Sequence, residues 1–292
     1  MSEQLGRTIQ IYLPNGEPRG IRIAELTTRT VQTVLIPQSE LGGAKKRPEL
    51  EQIAVYFLFG EVEDQVKPIV YIGQTEDVKK RLDSHSNEKE FWKTAVLGIS
   101  KTQAFTPAHI RWLEWYCIQR AKEVDRFLLD NEQNPREPFV TEPMQADLLD
   151  AFETLGILLT ALGYPLFDPA RPVADTDWFY CQGPEAQATG TLNEDGFLVS
   201  KDSLCRQQIS GSASSTVSNL RGRLTESQIL KETESGQFIF VQDFQFETPS
   251  GAAQVILGRN ANGWVEWKNK EGKTLHEVKR APNQAEEEQS NA

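Results

Sequence analysis

Two short apolar runs, AVYFLFG (Ala54–Gly60) and PIVYIG (Pro68–Gly73), are joined by the polar loop EVEDQVK. Runs of this length, rich in aromatic and β-branched residues, read as strands, and the short connection makes them a hairpin. That pair commits the middle of the chain to a sheet. DVKKRLDSH (Asp77–His85) follows, with Asp77 at a capping position and Val78, Leu82 and His85 at helical spacing. TAVLGIS (Thr94–Ser100) reads as another strand. TPAHIRWLEWYCIQRAKEV (Thr106–Val124) reads as a long amphipathic helix, with Thr106 as its cap and Pro107 as its first residue. Its buried stripe is expected to be Ile110, Leu113, Cys117, Ile118 and Ala121.

The flanks have different textures. RTIQIYLPNGEPRGIRIAEL alternates apolar and polar residues and reads as two strands around a turn at Pro14–Gly16, with Thr30–Pro37 as a third. GGAKKRPEL (Gly42–Leu50) reads as a surface linker. NEQNPREPFVTEP is a Pro-rich connector, and Met144–Tyr164 an apolar helix. From Trp178 short strands and Gly turns suggest a small sheet. A helix over Ser214–Leu230, a strand over Phe238–Phe246 and a helix over Thr248–Arg259 follow. The expected organisation is α+β: an N-terminal β-rich segment (1–48), a small domain built on the hairpin (49–140), a connecting helix and linker (141–177), a C-terminal α+β domain (178–279) and a disordered acidic tail (280–292).

A length of 292 residues fits two compact domains. No run of about 18 apolar residues exists, so no transmembrane helix is expected. The start, MSEQLGRTIQIYLP, lacks an apolar core beside a basic end, so no secretory signal is expected. Cys117, Cys181 and Cys205 are odd in number and far apart, which speaks against a disulfide framework or a CxxC zinc site and fits the cytoplasm. The net charge of −11, from 31 basic and 42 acidic residues, speaks against a nonspecific nucleic-acid coat. It leaves room for an enzyme that holds a divalent metal with a carboxylate and keeps one basic groove.

The chemistry-bearing residues gather on the central elements. Tyr56 and Tyr71 lie on adjacent antiparallel strands. Arg81 and His85 are four apart and share a helix face. Glu114 lies on the long helix and Asn131 follows it. A phenol, a cation, an imidazole and a carboxylate are what phosphodiester hydrolysis needs: a metal ligand, a base for water and a cation for developing charge. Each residue also has a plain structural role open to it. The tyrosines suit any sheet, Arg81 and His85 suit a solvated helix face, and Asn131 suits a turn. Glu114 sits beside the apolar stripe and needs a partner, either a metal or an arginine. His109 reads as a helix-start residue. Lys89, Phe91 and Trp92 read as core aromatics with a phosphate contact at Lys89.

Tyr71-Ile72-Gly73 matches the second half of the GIY-YIG nuclease signature, and Ala54-Val55-Tyr56 the first half less closely. Arg81 lies ten residues after the YIG tyrosine, His85 four later, Glu114 on the next long helix and Asn131 beyond it. With these, residues 50–136 resemble the GIY-YIG family, which implies a small domain with a central three-stranded antiparallel sheet flanked by helices. The resemblance implies that Glu114 binds one Mg²⁺ or Mn²⁺, as suits an ion that keeps most of its water shell. It implies that Tyr56 is the general base, with His85 as its helper or as the base itself. Arg81 stabilises charge on the phosphate, Tyr71 positions water or phosphate, and Asn131 orients neighbouring groups. The departures are Ala54 in place of glycine and Gln74 where some members carry lysine. At φ > 0 an alanine would strain the site.

Phe244–Leu275 is similar to an uncharacterised domain that recurs at the C-terminus of such nuclease-like proteins, with a pattern resembling F-x-SPS-x-AA…NGW-x-x-W over residues 215–275. Thr248 replaces its first serine. Trp264 and Trp267 beside Arg259, Lys268 and Lys270 suit either a nucleic-acid surface or a small core after an NGW turn. The expectation is a metal-dependent endonuclease, with DNA favoured over RNA by family analogy. Its C-terminal domain is expected to bind the target or a partner, and a transient dimer would supply two cuts in a duplex. The rival expectation is a catalytically silent binding module.

Overall fold

The computed structural model describes residues 6–62, 65–132, 135–169, 178–211, 213–234 and 236–279. The chain divides into two compact α+β units, 1–170 and 171–292. The expected acidic tail lies outside the described residues.

The first unit holds strands β1 (Ile9–Tyr12), β2 (Arg22–Leu26), β3 (Val31–Pro37), β4 (Ala54–Gly60), β5 (Ile69–Thr75), β6 (Trp92–Ser100) and β7 (Leu128–Leu129). Its helices are α1 (Leu41–Ala44), α2 (Val78–Glu88), α3 (Pro107–Val124) and α4 (Glu142–Ala161). The strands form one seven-stranded sheet in the order β1-β2-β3-β6-β4-β5-β7. All pairs are antiparallel except β5 with β7. The central strands are nearly all apolar because both faces of the sheet are covered. Val55, Phe57 and Phe59 face a core that includes α3 and α4 residues, while Ala54, Tyr56 and Leu58 face a core that includes residues of α1 and α2.

Local signals set the helix ends. Asp77 caps α2 by accepting from the Lys80 amide at 3.0 Å. Thr106 caps α3 and Pro107 opens it. The His109 ring accepts from the Thr106 amide at 3.1 Å, which completes a capping box and accounts for that histidine.

The expected three-stranded core, β6-β4-β5, is present but is the middle of a wider sheet. The segment 1–48 does not stand apart, because β3 pairs with β6 over seven residues, from Val31↔Ser100 to Pro37↔Thr94. The loop Gly42–Leu50 is not a surface linker either. Leu41, Ala44 and Leu50 are buried in the sheet's second core, an apolar spacing hidden among Gly, Lys and Pro. The apolar helix is not a separate connector: α4 packs on β2 and β3, with Leu155, Leu158 and Leu159 in the first core. Arg29 pairs with Asp150, and Arg7 with Glu153 at 2.6 Å, across the same contact.

The second unit holds β8 (Phe179–Gly183), β9 (Ala186–Asn193), β10 (Gly196–Val199), β11 (Leu204–Cys205), β12 (Leu230–Glu232), β13 (Phe238–Phe240) and β14 (Phe244–Phe246). Helices α5 (Ser215–Glu226), α6 (Pro249–Leu257), α7 (Gly263–Glu266) and α8 (Leu275–Lys279) accompany them. The sheet order is β12-β13-β11-β9-β10-β14, with β8 on β9. The expected single strand over 238–246 is two strands on different parts of this sheet: β13 pairs with β11 and β12, β14 with β10. The helix expected over Ser214–Leu230 stops at Glu226, and Leu230 begins a strand.

Candidate active site

Tyr56 lies on β4 opposite Gly73 of β5. Tyr56 and Tyr71 project to the sheet face covered by α2, where Arg81 and His85 share one side of the helix. The Tyr56 hydroxyl lies 2.7 Å from His85 Nε2. Arg81 Nε donates to the same oxygen at 2.9 Å, and Arg81 Nη2 donates to the Tyr71 hydroxyl at 3.4 Å. The Tyr56 and Tyr71 ring centroids are 6.0 Å apart, and Tyr71 and His85 5.0 Å. One guanidinium therefore joins both phenols.

Glu114 and Asn131 complete the outer edge of β5. Strand β7 accompanies β5 only at Ile69 and Val70. Beyond it the Asn131 side chain takes the place of a strand residue: Oδ1 accepts from the Ile72 amide at 3.0 Å and Nδ2 donates to the Ile72 carbonyl at 2.7 Å. The next outward amide, that of Gln74, hydrogen-bonds to the Glu114 carboxylate, whose charge also feels Arg81. The structure thus brings Tyr56, Tyr71, Arg81, His85, Glu114 and Asn131 around one strand. Both of these Asn131 contacts are to backbone, so the side chain holds β5 rather than facing a reacting group.

Burial sets the protonation states. His85 is buried, and that burial, helped by Arg81 and Lys89, lowers its pKa to about 4. It is neutral at pH 7. Its Nδ1 is buried with no partner. A bare lone pair there costs less than a stranded N–H, so the ring proton is assigned to Nε2, donating to Tyr56. Tyr56 is fully buried. Burial raises its pKa, the neighbouring Tyr71 adds to the rise, and the Arg81 hydrogen bond opposes it. Burial likewise raises the half-buried Glu114 to about 6, against the pull of the Gln74 amide and Arg81.

Two glycine questions are settled by geometry. Ala54 is not among the positive-φ residues and sits fully buried in β4, so it carries no left-handed strain. Gly73 is the constrained position. A methyl there would overlap the Tyr56 phenol oxygen and lie 2.9 Å from Cε1 of that ring.

Lys89, expected at a phosphate, is already engaged. It ion-pairs with Asp130 and its Nζ lies 4.4 Å from the Tyr71 ring centroid. Sequence reasoning missed Asp130, which has no motif, and treated Gly73 as a motif letter rather than as space for Tyr56.

Glu114 forms no ion pair with any described residue. Its desolvated carboxyl fits a single hard divalent cation that keeps most of its own waters. Among the described residues no group of three or more His, Cys, Asp or Glu could hold a metal.

The C-terminal motif is used up in packing. Thr248 caps α6, accepting from the Gly251 amide at 3.0 Å. Trp267 is fully buried and donates from Nε1 to the Pro249 carbonyl at 3.0 Å. The Gly263 amide donates to Ser250 Oγ at 3.0 Å. Arg259 pairs with Glu266 at 2.8 Å. Trp267 is therefore core, not a stacking platform. Arg221 is also buried, donating to the Gln207 carbonyl at 3.3 Å and to the Val255 carbonyl near the end of α6.

Residues 179–279 match the family described as a domain of unknown function, DUF4357. No curated protein matches the chain, and no solved structure matches it. Among the described residues no helix is long and apolar enough to cross a membrane.

Proposed function

We propose that the first unit is a metal-dependent endonuclease of the GIY-YIG kind acting on DNA. The observation that carries this reading is the buried Tyr56 hydroxyl, bonded at once by Arg81 and His85, beside a desolvated Glu114. Glu114 would hold a Mg²⁺ or Mn²⁺ ion, which when bound would supply Lewis-acid stabilisation of the charge on the phosphate. Tyr56 gives up its own hydroxyl proton to bulk water once the substrate uncovers it, and the phenolate then takes the proton of the attacking water. With Nε2 committed to Tyr56 and Nδ1 buried, His85 helps that phenol and does not act as the base. Donation from Nε2–H and Arg81 stabilises the phenolate that burial disfavours. Arg81 covers the Tyr56 hydroxyl in the free protein, and a substrate phosphate draws the guanidinium aside, uncovering the base. Asn131 keeps β5 in register. The second unit binds the target or a partner through surfaces other than its buried motif.

Supercoiled plasmid is expected to be nicked with Mg²⁺ or Mn²⁺ by the wild-type protein and not by Glu114→Gln. Equal nicking by both would sink the assignment. Absence of nicking on duplex, branched and single-stranded DNA would leave the silent binding module as the better reading.

The charge of Glu114 gives a second expectation. Its pKa is raised, so the proton competes with the cation below about pH 6. Mn²⁺ affinity, measured by calorimetry, should be flat above that pH and fall about tenfold per unit below it. An unchanged affinity at pH 5, or an unchanged one in Glu114→Gln, would place the metal elsewhere.

A further inference from the structure

Lys89 and Asp130 stand outside the six-residue set, yet they touch it from two sides. Lys89 is the C-terminal cap residue of α2, four residues after His85, and its amide donates to the His85 carbonyl at 3.0 Å. Asp130 directly precedes Asn131, and its amide donates to the Val70 carbonyl at 2.9 Å. The Lys89–Asp130 pair therefore bridges the end of α2 to the segment that finishes the β5 edge. Tyr71 lies beneath that bridge. Its ring has the Lys89 ammonium 4.4 Å from its centroid, His85 at 5.0 Å and Tyr56 at 6.0 Å. Its hydroxyl accepts from Arg81 at 3.4 Å.

Both partners are largely covered, with 22% and 31% of their side chains exposed. A cation over an aromatic face at a sheltered site is attracted to the ring, and the carboxylate fixes where that cation sits. The two interactions act together. Without Asp130 the flexible lysine stem is free to leave the ring. Without Lys89 the ring is no longer held on that face, and Asp130 keeps an uncompensated charge.

We infer that Asp130 and Lys89 form a positioning clamp that fixes the Tyr71 ring, so that Lys89 serves the site internally rather than as a phosphate contact. This rests on the nuclease reading for its consequence but not for its geometry. The clamp ties the rotamer of Tyr71 to the distance between α2 and β5, the two elements that carry Arg81, His85 and Tyr71.

The test uses the full chain with ¹³C-labelled tyrosine. The chain has six tyrosines, and Tyr71→Phe assigns the relevant ring signal. Asp130→Asn and Lys89→Met should each shift and broaden the Tyr71 ring signal, and Asp130→Glu should restore it. In plasmid nicking, Asp130→Asn should lower kcat about tenfold with KM and salt dependence unchanged. The double variant should be no worse than either single one. The opposite pattern would overturn the inference: an unshifted Tyr71 signal, with Asp130→Asn binding DNA more tightly and with a steeper salt slope, would make Lys89 a phosphate contact that Asp130 restrains. If the wild-type protein nicks nothing, the nuclease reading fails, and the ring signal alone still decides the clamp.

Discussion

Gly73→Ala is expected to cut nicking by roughly two orders of magnitude while leaving the first unit folded. The added methyl overlaps the Tyr56 phenol oxygen and lies 2.9 Å from ring atom Cε1. Tyr56 cannot yield easily, because its ring is fully buried and its hydroxyl is held by Arg81 and His85. Accommodating the methyl means moving the phenol away from both donors. Overpacking of this kind costs about 1–3 kcal/mol, which a seven-stranded sheet survives. Single-turnover nicking and thermal unfolding should be measured together with Tyr56→Phe. Both variants are expected to lose activity, Gly73→Ala by displacing the hydroxyl and Tyr56→Phe by deleting it. Wild-type nicking by Gly73→Ala would show that the reaction does not depend on where Tyr56 sits. A wholesale loss of folding would show that β5 cannot absorb the strain.

The residues that the sequence makes legible here are those whose signal is local. The hairpin of β4 and β5 follows from two apolar runs and a polar loop, and α3 from Thr106, Pro107 and a helical stripe. Helical spacing also put Arg81 and His85 on one face. What stayed hidden is non-local. Nothing in residues 1–48 says that Val31–Pro37 pairs with Thr94–Ser100, because strand pairing is decided by partners far along the chain. The same limit applies to Phe238–Phe246, where one apolar run serves two different partners. At the site, the edge of β5 is the lesson. Asn131 and Glu114 satisfy the outward backbone groups of Ile72 and Gln74, a role visible only once the shortness of β7 is known. Asp130 was unreadable for a related reason, since its partner Lys89 lies 41 residues earlier.

Gly263→Ala is expected to destabilise the second unit by about 3 kcal/mol or more. Gly263 is not among the positive-φ glycines, so the demand is one of space. A methyl there would overlap the Pro249 carbonyl and lie 2.5 Å from the Ser250 nitrogen. Both neighbours are backbone at the first turn of α6 and cannot rotate away. They are also committed elsewhere: Pro249 O accepts from Trp267 Nε1, and Ser250 Oγ accepts from the Gly263 amide itself. Separating α6 from α7 would strand those groups and open space around Trp267, whose ring lies 4.4 Å from that of Phe197 on β10. The motif residues Thr248, Pro249, Ser250, Gly263 and Trp267 thus form a single interlock, and a chain keeps their spacing for packing whatever the domain binds. Hydrogen exchange in the full chain separates the two units. Amides of α6 and β10 should lose most of their protection in Gly263→Ala, while those of β4 and β6 keep theirs. Trp267→Phe should lie between the variant and the wild type, since it retains a ring and loses the Nε1–H. Undisturbed protection in Gly263→Ala would mean that α6 and α7 are free to part, and the motif would then need an explanation in binding rather than in packing.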